Sequence, residues 1–238
     1  MSVLSMWLLA GLLASPQQAA DHTPQQPTGP TPQQILQKSL DVYAAAKTYQ
    51  SLWTYTMTHG SVSQELEIEI KAKAPAKVLF RASVPKGRKP PSDRPVPEML
   101  VVLDGQNAWY QNTTEKFLFK LPLPKEPKYT PLMFFPQIAA AGPVRRVADV
   151  QADGKTYIAL EADREQGGTI RMEVDASTYR VRKIVVTDMI AFVSTVSTIT
   201  VKEETFDAEI PDKVFVYKVP RGFKEVEPPP GAGAVFGP

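Results

Sequence analysis

Cysteine is absent from all 238 residues. Disulfides, thiolate nucleophiles and cysteine-held metals are therefore excluded. Histidine is scarce, with His22 and His59 the two in the chain. A serine nucleophile would have to take His59 as its base, and no Gly-x-Ser-x-Gly elbow accompanies it. His59 stands beside Gly60 at the end of a predicted strand and reads as a surface residue. No His/Asp/Glu group has ligand spacing, and no glycine-rich loop is built to cradle phosphate. Neither sign of charge dominates: 27 Lys and Arg against 25 Asp and Glu leave +2, with the signs interspersed. Nucleic-acid binding needs a concentrated basic face, so none is expected. The sequence implies no catalysis, no metal and no cofactor.

Long hydrophobic runs are also missing after the first residues. Val3 to Ala14 (VLSMWLLAGLLA) is apolar but short for a bilayer span. Ser15-Pro16 breaks it, and small residues follow to Ala20. This reads as a secretory signal peptide cleaved near Ala20, which places the mature chain in the periplasm. With no cysteine after the apolar run, a lipid anchor is not expected. Residues 21–31 form a polar Pro/Gln linker, and the Pro/Gly tail 228–238 has nothing to bury. A single domain over 32–227 remains.

That domain opens with a helix signal. Thr31 is a candidate N-cap and Pro32 suits the first helical position. Residues 32–49 then follow helical spacing, with Ile35, Leu36, Leu40, Val42, Tyr43, Ala46 and Tyr49 on one face. After the helix the period changes to two. Leu66, Ile68 and Ile70 alternate with Glu65, Glu67, Glu69 and Lys71, giving a greasy face and a charged face. This is the pattern of an antiparallel sheet wetted on one side. Similar runs occur at 53–59, 77–83, 99–103, 107–112, 117–121, 157–162, 169–175, 181–188, 192–203 and 214–219. Turn signals separate many of them, among them Asp104-Gly105, Asp153-Gly154 and Gly167-Gly168. The expectation is an α+β protein, mostly antiparallel β, with about eleven strands. Lys86–Pro97 (KGRKPPSDRPVP) reads as a Pro-rich charged loop. Thr130-Pro131 reads as the start of a short helix that Pro136 would end.

Several apolar positions have two readings. Trp53, Tyr55 and Met57 alternate on one strand, and Trp109 and Tyr110 face opposite sides of another. Leu132, Met133, Phe134 and Phe135 are consecutive, so on a helix they cover more than one face. These side chains either fill a core or line a cavity for an apolar ligand, for which Met is well adapted.

The ordered set of motifs resembles the LolA/LolB superfamily of bacterial envelope proteins. An amphipathic first helix leads to an aromatic strand and then a charged, alternating one. Lys73-Ala74-Pro75-Ala76-Lys77-Val78-Leu79-Phe80-Arg81 is similar to the family's basic–x–Pro–x–x–Phe–Arg stretch, with Ala74 where the carriers have Arg. Asp104-Gly105-Gln106-Asn107-Ala108-Trp109-Tyr110 is similar to its DGxxxWxY hairpin, and Thr130–Met133 to the start of its lid helix. Ile210-Pro211 before Val214–Tyr217, and Val219-Pro220-Arg221-Gly222-Phe223, resemble its closing segment. The resemblance covers about 32–226. It implies an unclosed half-barrel with helices across its open side and a hydrophobic cavity, without catalysis. The implied cavity is lined by Trp53, Tyr55, Met57, Leu66, Ile68, Ile70, Leu100, Val102 and Trp109, with Leu132, Met133, Phe134 and Phe135 as lid. The implied partners are acyl chains of lipoprotein or phospholipid, and an inner-membrane transporter or an anti-sigma-type membrane protein. The implied role is a monomeric periplasmic carrier of lipid or lipoprotein, or an envelope sensor on the same fold.

Overall fold

The computed structural model describes residues 29–88, 98–124, 138–165, 167–190, 193–230 and 232. The expectations for the signal peptide, for the Pro-rich loop beyond Arg88 and for the lid residues Leu132–Phe135 lie outside these.

Helix α1 spans Pro32–Ala44. Thr31 caps it in a closed box: the Gln34 N–H donates to Thr31 Oγ1 at 3.2 Å, and the Thr31 N–H donates to Gln34 Oε1 at 2.8 Å. The helix is shorter than its spacing predicts. It ends at Ala44, and Thr48–Gln50 already belong to the first strand. Ile35, Leu36, Ser39 and Tyr43 are its buried face.

Twelve strands follow among the described residues. They are β1 (Thr48–His59), β2 (Val62–Lys73), β3 (Lys77–Ser83), β4 (Met99–Asp104), β5 (Asn107–Asn112), β6 (Phe117–Pro122), β7 (Arg145–Ala152), β8 (Lys155–Asp163), β9 (Thr169–Asp175), β10 (Val181–Ile190), β11 (Val193–Phe206) and β12 (Lys224–Glu225). Helix α2 (Ile138–Ala141) precedes β7. All strands join one sheet in the order β12-β6-β5-β4-β3-β2-β1-β11-β10-β9-β8-β7, whose two end strands are not paired to each other. Every neighbour pair is antiparallel except the short β12–β6 pair. The expected unclosed antiparallel architecture is the one found.

Two strand expectations change. β7 has no counterpart among the predicted strands; its register shifts between Val147 and Val150, so no clean alternation marks it. Residues 214–219 are not a strand. Asp212–Phe215 form a 3-10 helix and the chain then runs irregularly to β12.

The sheet has two unlike faces. Its inner face packs on α1 in one core containing Trp53, Ile70, Val78, Leu103, Leu160 and Val174, all fully buried or nearly so. Ile138 of α2 joins the same core. Over β1 to β3 the outer face carries the charges that alternation predicts. Glu69 pairs with Lys71 and Arg81, and Glu65 with Arg88 at 2.6 Å.

Across β3 to β6 the outer face is covered by a strap from Asp207 to Glu225. Asp212 takes ion pairs from Lys73 at 2.6 Å and Lys77 at 3.1 Å. Ile210 and Phe215 then bury themselves with Leu79, with Leu100 packed against them. The Tyr217 ring stacks on Trp109 at 4.8 Å and its hydroxyl donates to Gln111 Oε1 at 2.9 Å. The strap finishes as β12 on the edge of β6, with Lys224 beside Phe117.

Candidate functional site

The inner face assembles six of the nine nominated residues that the structure describes: Trp53, Tyr55, Met57, Leu66, Ile68 and Ile70. Strand pairing sets Trp53 opposite Ile68 and Tyr55 opposite Leu66, while Ile70 lies opposite Ser51. Odd positions of β1 and even positions of β2 therefore share this face. Trp53, Leu66, Ile68 and Ile70 are buried, whereas Tyr55 and Met57, nearer the end of the strand, are half-buried. The indole N–H of Trp53 donates to Ser51 Oγ at 2.7 Å, so its one polar atom is satisfied inside the core. Tyr55 reaches across to β11, where its hydroxyl meets Ser197 Oγ at 3.1 Å.

Leu100, Val102 and Trp109 lie on the other face. In β4 it is Val101 and Leu103 that join the core with Trp53. Leu100 packs against the strap, and Val102 is paired with Trp109. Trp109 itself is held from three sides. Tyr217 stacks on it, Lys120 Nζ lies 4.8 Å from its ring centre, and its N–H donates to Asp104 Oδ2 at 3.0 Å. Those three residues thus form an outer cluster with the strap, apart from the Trp53 set.

A polar latch at one end of the inner face was not foreseen. Tyr43 of α1 and Tyr49 of β1 both donate to Glu204 Oε1, each at 2.9 Å. The Tyr43 oxygen also accepts from the buried N–H of Val181 at 3.0 Å. Phe206 closes the cluster, 5.5 Å from Tyr43 and 5.2 Å from Tyr49 between ring centres. Burial raises the Glu204 carboxyl above its usual 4.5, against the pull of the two hydroxyls and of Arg180. Burial, with the neighbouring Glu204 charge, also raises both tyrosine hydroxyls. The signal in the sequence was the shared face of Tyr43 and Tyr49; nothing local pointed to Glu204, some 150 residues on.

The outer face carries a cleft. A half-open cleft of about 520 Å³ crosses β11, β1, β2 and β3 above Leu52, with Glu67, Glu69, Lys71, Arg81 and Glu203 on its walls. Its lining is charged and of both signs, unlike the inner face. Among the described residues no three His, Asp or Glu side chains are grouped to hold a metal, and no helix is long and apolar enough to cross a membrane.

No protein-family model matches the sequence, and no curated protein matches it. Solved structures do. An uncharacterized conserved protein from Thermus thermophilus is 16% identical and superposes with a TM-score of 0.52, over 82% of this chain and 97% of that one. A LolA superfamily protein from Nitrosomonas europaea is 13% identical with a TM-score of 0.40, over 79% of this chain and 99% of that one. The Pseudomonas aeruginosa MucA/MucB complex gives 15% identity and a TM-score of 0.43, over 77% of this chain and 61% of that one. One unclosed antiparallel sheet with helices on its apolar inner face is the architecture that the LolA/LolB resemblance implies. The fold is shared with the Thermus thermophilus protein. These likenesses are of fold; at such identity they transfer no activity.

Proposed function

We propose that this chain is a periplasmic binding or carrier protein that takes the acyl chains of a lipid or lipoprotein against the inner face of its sheet, and that it is not an enzyme. One observation carries the reading: the apolar stripe of β1 is longer than helix α1, which packs on it. The 13 residues of α1 measure about 20 Å at 1.5 Å per residue. The 12 residues of β1 measure about 40 Å at roughly 3.3 Å per residue. Tyr55, Met57 and Leu66 continue the apolar stripe beyond Trp53 towards the far end, where an acyl chain would extend it. Leu132, Met133, Phe134 and Phe135 are further apolar residues of the sequence. Burial of an acyl chain contributes about 0.8 kcal/mol per methylene. A chain of roughly sixteen carbons gains on the order of 12 kcal/mol, offset by association costs of about 4–15 kcal/mol. That balance suits reversible hand-off.

Native mass spectrometry of the mature protein from an envelope fraction, with lipid extraction, tests the proposal. A co-purifying phospholipid or acylated peptide, lost in Met57→Glu, is the expected result. A clean unliganded mass with no uptake of added lipid overturns it.

A second reading, a regulator that contacts a membrane protein, is favoured by the charged outer cleft, whose walls suit a polypeptide better than an acyl chain. Deletion of Lys86–Pro97 separates the two: loss of a protein partner with lipid uptake intact favours the regulator.

A further inference from the structure

We propose that the adjoining ends of β1, β2, β10 and β11, which carry Val62, Met189 and Val193, dock this protein on a lipid bilayer. Large apolar side chains stand out at this end of the sheet: Val62 is 41% exposed, Met189 55% and Val193 36%. They come from strand ends brought side by side by the β1–β11 pairing, which sets His59 opposite Thr195. A Cβ added to Gly60 would lie 3.7 Å from Val193 Cγ1, so the end of β1 and the start of β11 are close neighbours. The exposed apolar residues Val62, Met189 and Val193 share one end of the sheet.

Charge, or its lack, identifies the occupant. From Thr48 to Gln64 there is no Asp, Glu, Lys or Arg, and none from Met189 to Val201, in a chain that is 22% charged overall. The residues flanking these apolar side chains in sequence carry hydroxyls: Thr58, Ser61, Ser63 and Ser194. Two charged residues bordering this zone are neutralised in ion pairs, Glu65 with Arg88 and Asp188 with Arg164. A protein-docking patch of similar size carries a charged rim for specificity. A membrane-inserting edge needs the reverse, apolar tips followed by uncharged polar groups at headgroup depth, because a charge carried into the bilayer is costly. The order found here, apolar end, flanking hydroxyls, paired charges, is that of the bilayer interface. The single imidazole in the zone, His59, is turned to Thr195 Oγ1 at 2.7 Å.

The contact is separate from the acyl-binding reading, since vesicle association and cargo uptake are measured independently. The test uses the mature chain with vesicles of phosphatidylethanolamine and phosphatidylglycerol. Co-sedimentation of the wild type is expected, weakened about tenfold or more in Met189→Asp/Val193→Asp, as loss of inserted apolar area dictates. The lack of cysteine allows a second readout that does not depend on that variant folding. Met189→Cys labelled with an environment-sensitive dye should shift its emission to the blue when vesicles are added. The same dye on Val216→Cys, an exposed valine of the strap, should not shift. Failure of the wild type to bind, equal binding by a folded double variant, or equal shifts at both labels overturns the proposal.

Discussion

Tyr43 and Tyr49, from the helix and the first strand, donate their hydroxyls to the same oxygen of Glu204 at 2.9 Å each. The helix is thereby fastened to β1 and β11 by a polar junction inside an apolar layer. Tyr43→Phe keeps the ring packing but leaves Glu204 one donor short and the buried Val181 N–H without its acceptor. Unsatisfied buried groups cost about 1–3 kcal/mol, so urea unfolding should show a loss of that order. Tyr49→Phe orphans no backbone group and should cost less.

Two carboxylates give opposite pH dependences. At the β9–β10 turn, burial alone would raise Asp175, but the Ser177 hydroxyl and the Ser177 and Thr178 N–H groups outweigh it and hold it at about 2, down from 3.8. Its folded value is depressed, so it contributes stability above 3.8 that is lost as pH falls towards 2. The scale is about 2 kcal/mol at 1.36 kcal/mol per unit. Glu204 is raised, so the fold binds its proton more tightly than the unfolded chain does. Its effect on stability is adverse and develops as pH rises from 4.5 upward. Urea midpoints measured across this range should show Asp175→Asn flattening the acid limb. Glu204→Gln should gain on the wild type progressively above the ordinary glutamate range.

Trp53 and Trp109 lie on opposite faces of the sheet, which makes each tryptophan a reporter for one face. If acyl chains bind the inner face, adding a fatty acid to Trp109→Phe in a chain that starts after Ala20, and so lacks Trp7, should shift the remaining Trp53 emission. Adding it to Trp53→Phe should leave Trp109 unchanged. A shift confined to Trp109 would move the ligand to the strap side.

Phe215 is 1% exposed and anchors the strap between Leu79 and Leu100. Phe215→Ala should cost about 3–5 kcal/mol, as for other buried aromatic truncations. Near-ultraviolet circular dichroism should report loosening of the Trp109–Tyr217 stack in the same variant.

Most of the sheet was legible because a half-buried strand writes its two environments into alternate residues, as in Leu66–Lys71. β7 was hidden because an exposed edge strand with a bulge has neither a steady period nor a buried face. The 214–219 run misled for the opposite reason. Val-Phe-Val-Tyr has period two, yet Phe215 and Tyr217 satisfy it by docking side chains on a sheet already formed, without a backbone ladder. Helix α1 was overextended because Tyr49 continues the helical face in sequence, while in space it meets Tyr43 from the next element. Leu100 and Val102 were grouped with Trp53 because Leu-Val-Val-Leu is apolar on both parities. Only the strap, more than 100 residues away, distinguishes the two sides.

The strap also sets the order in which the molecule can be completed. β1 is bordered by β11, with Tyr49 beside Phe206, and the edge of β6 is met by Lys224. During synthesis, the first half of the sheet therefore waits for nearly the whole chain to emerge before its outer apolar patch is covered. Contacts so distant in sequence form slowly. The chain therefore stays pliable until its last segments arrive, and its first half is closed by its end.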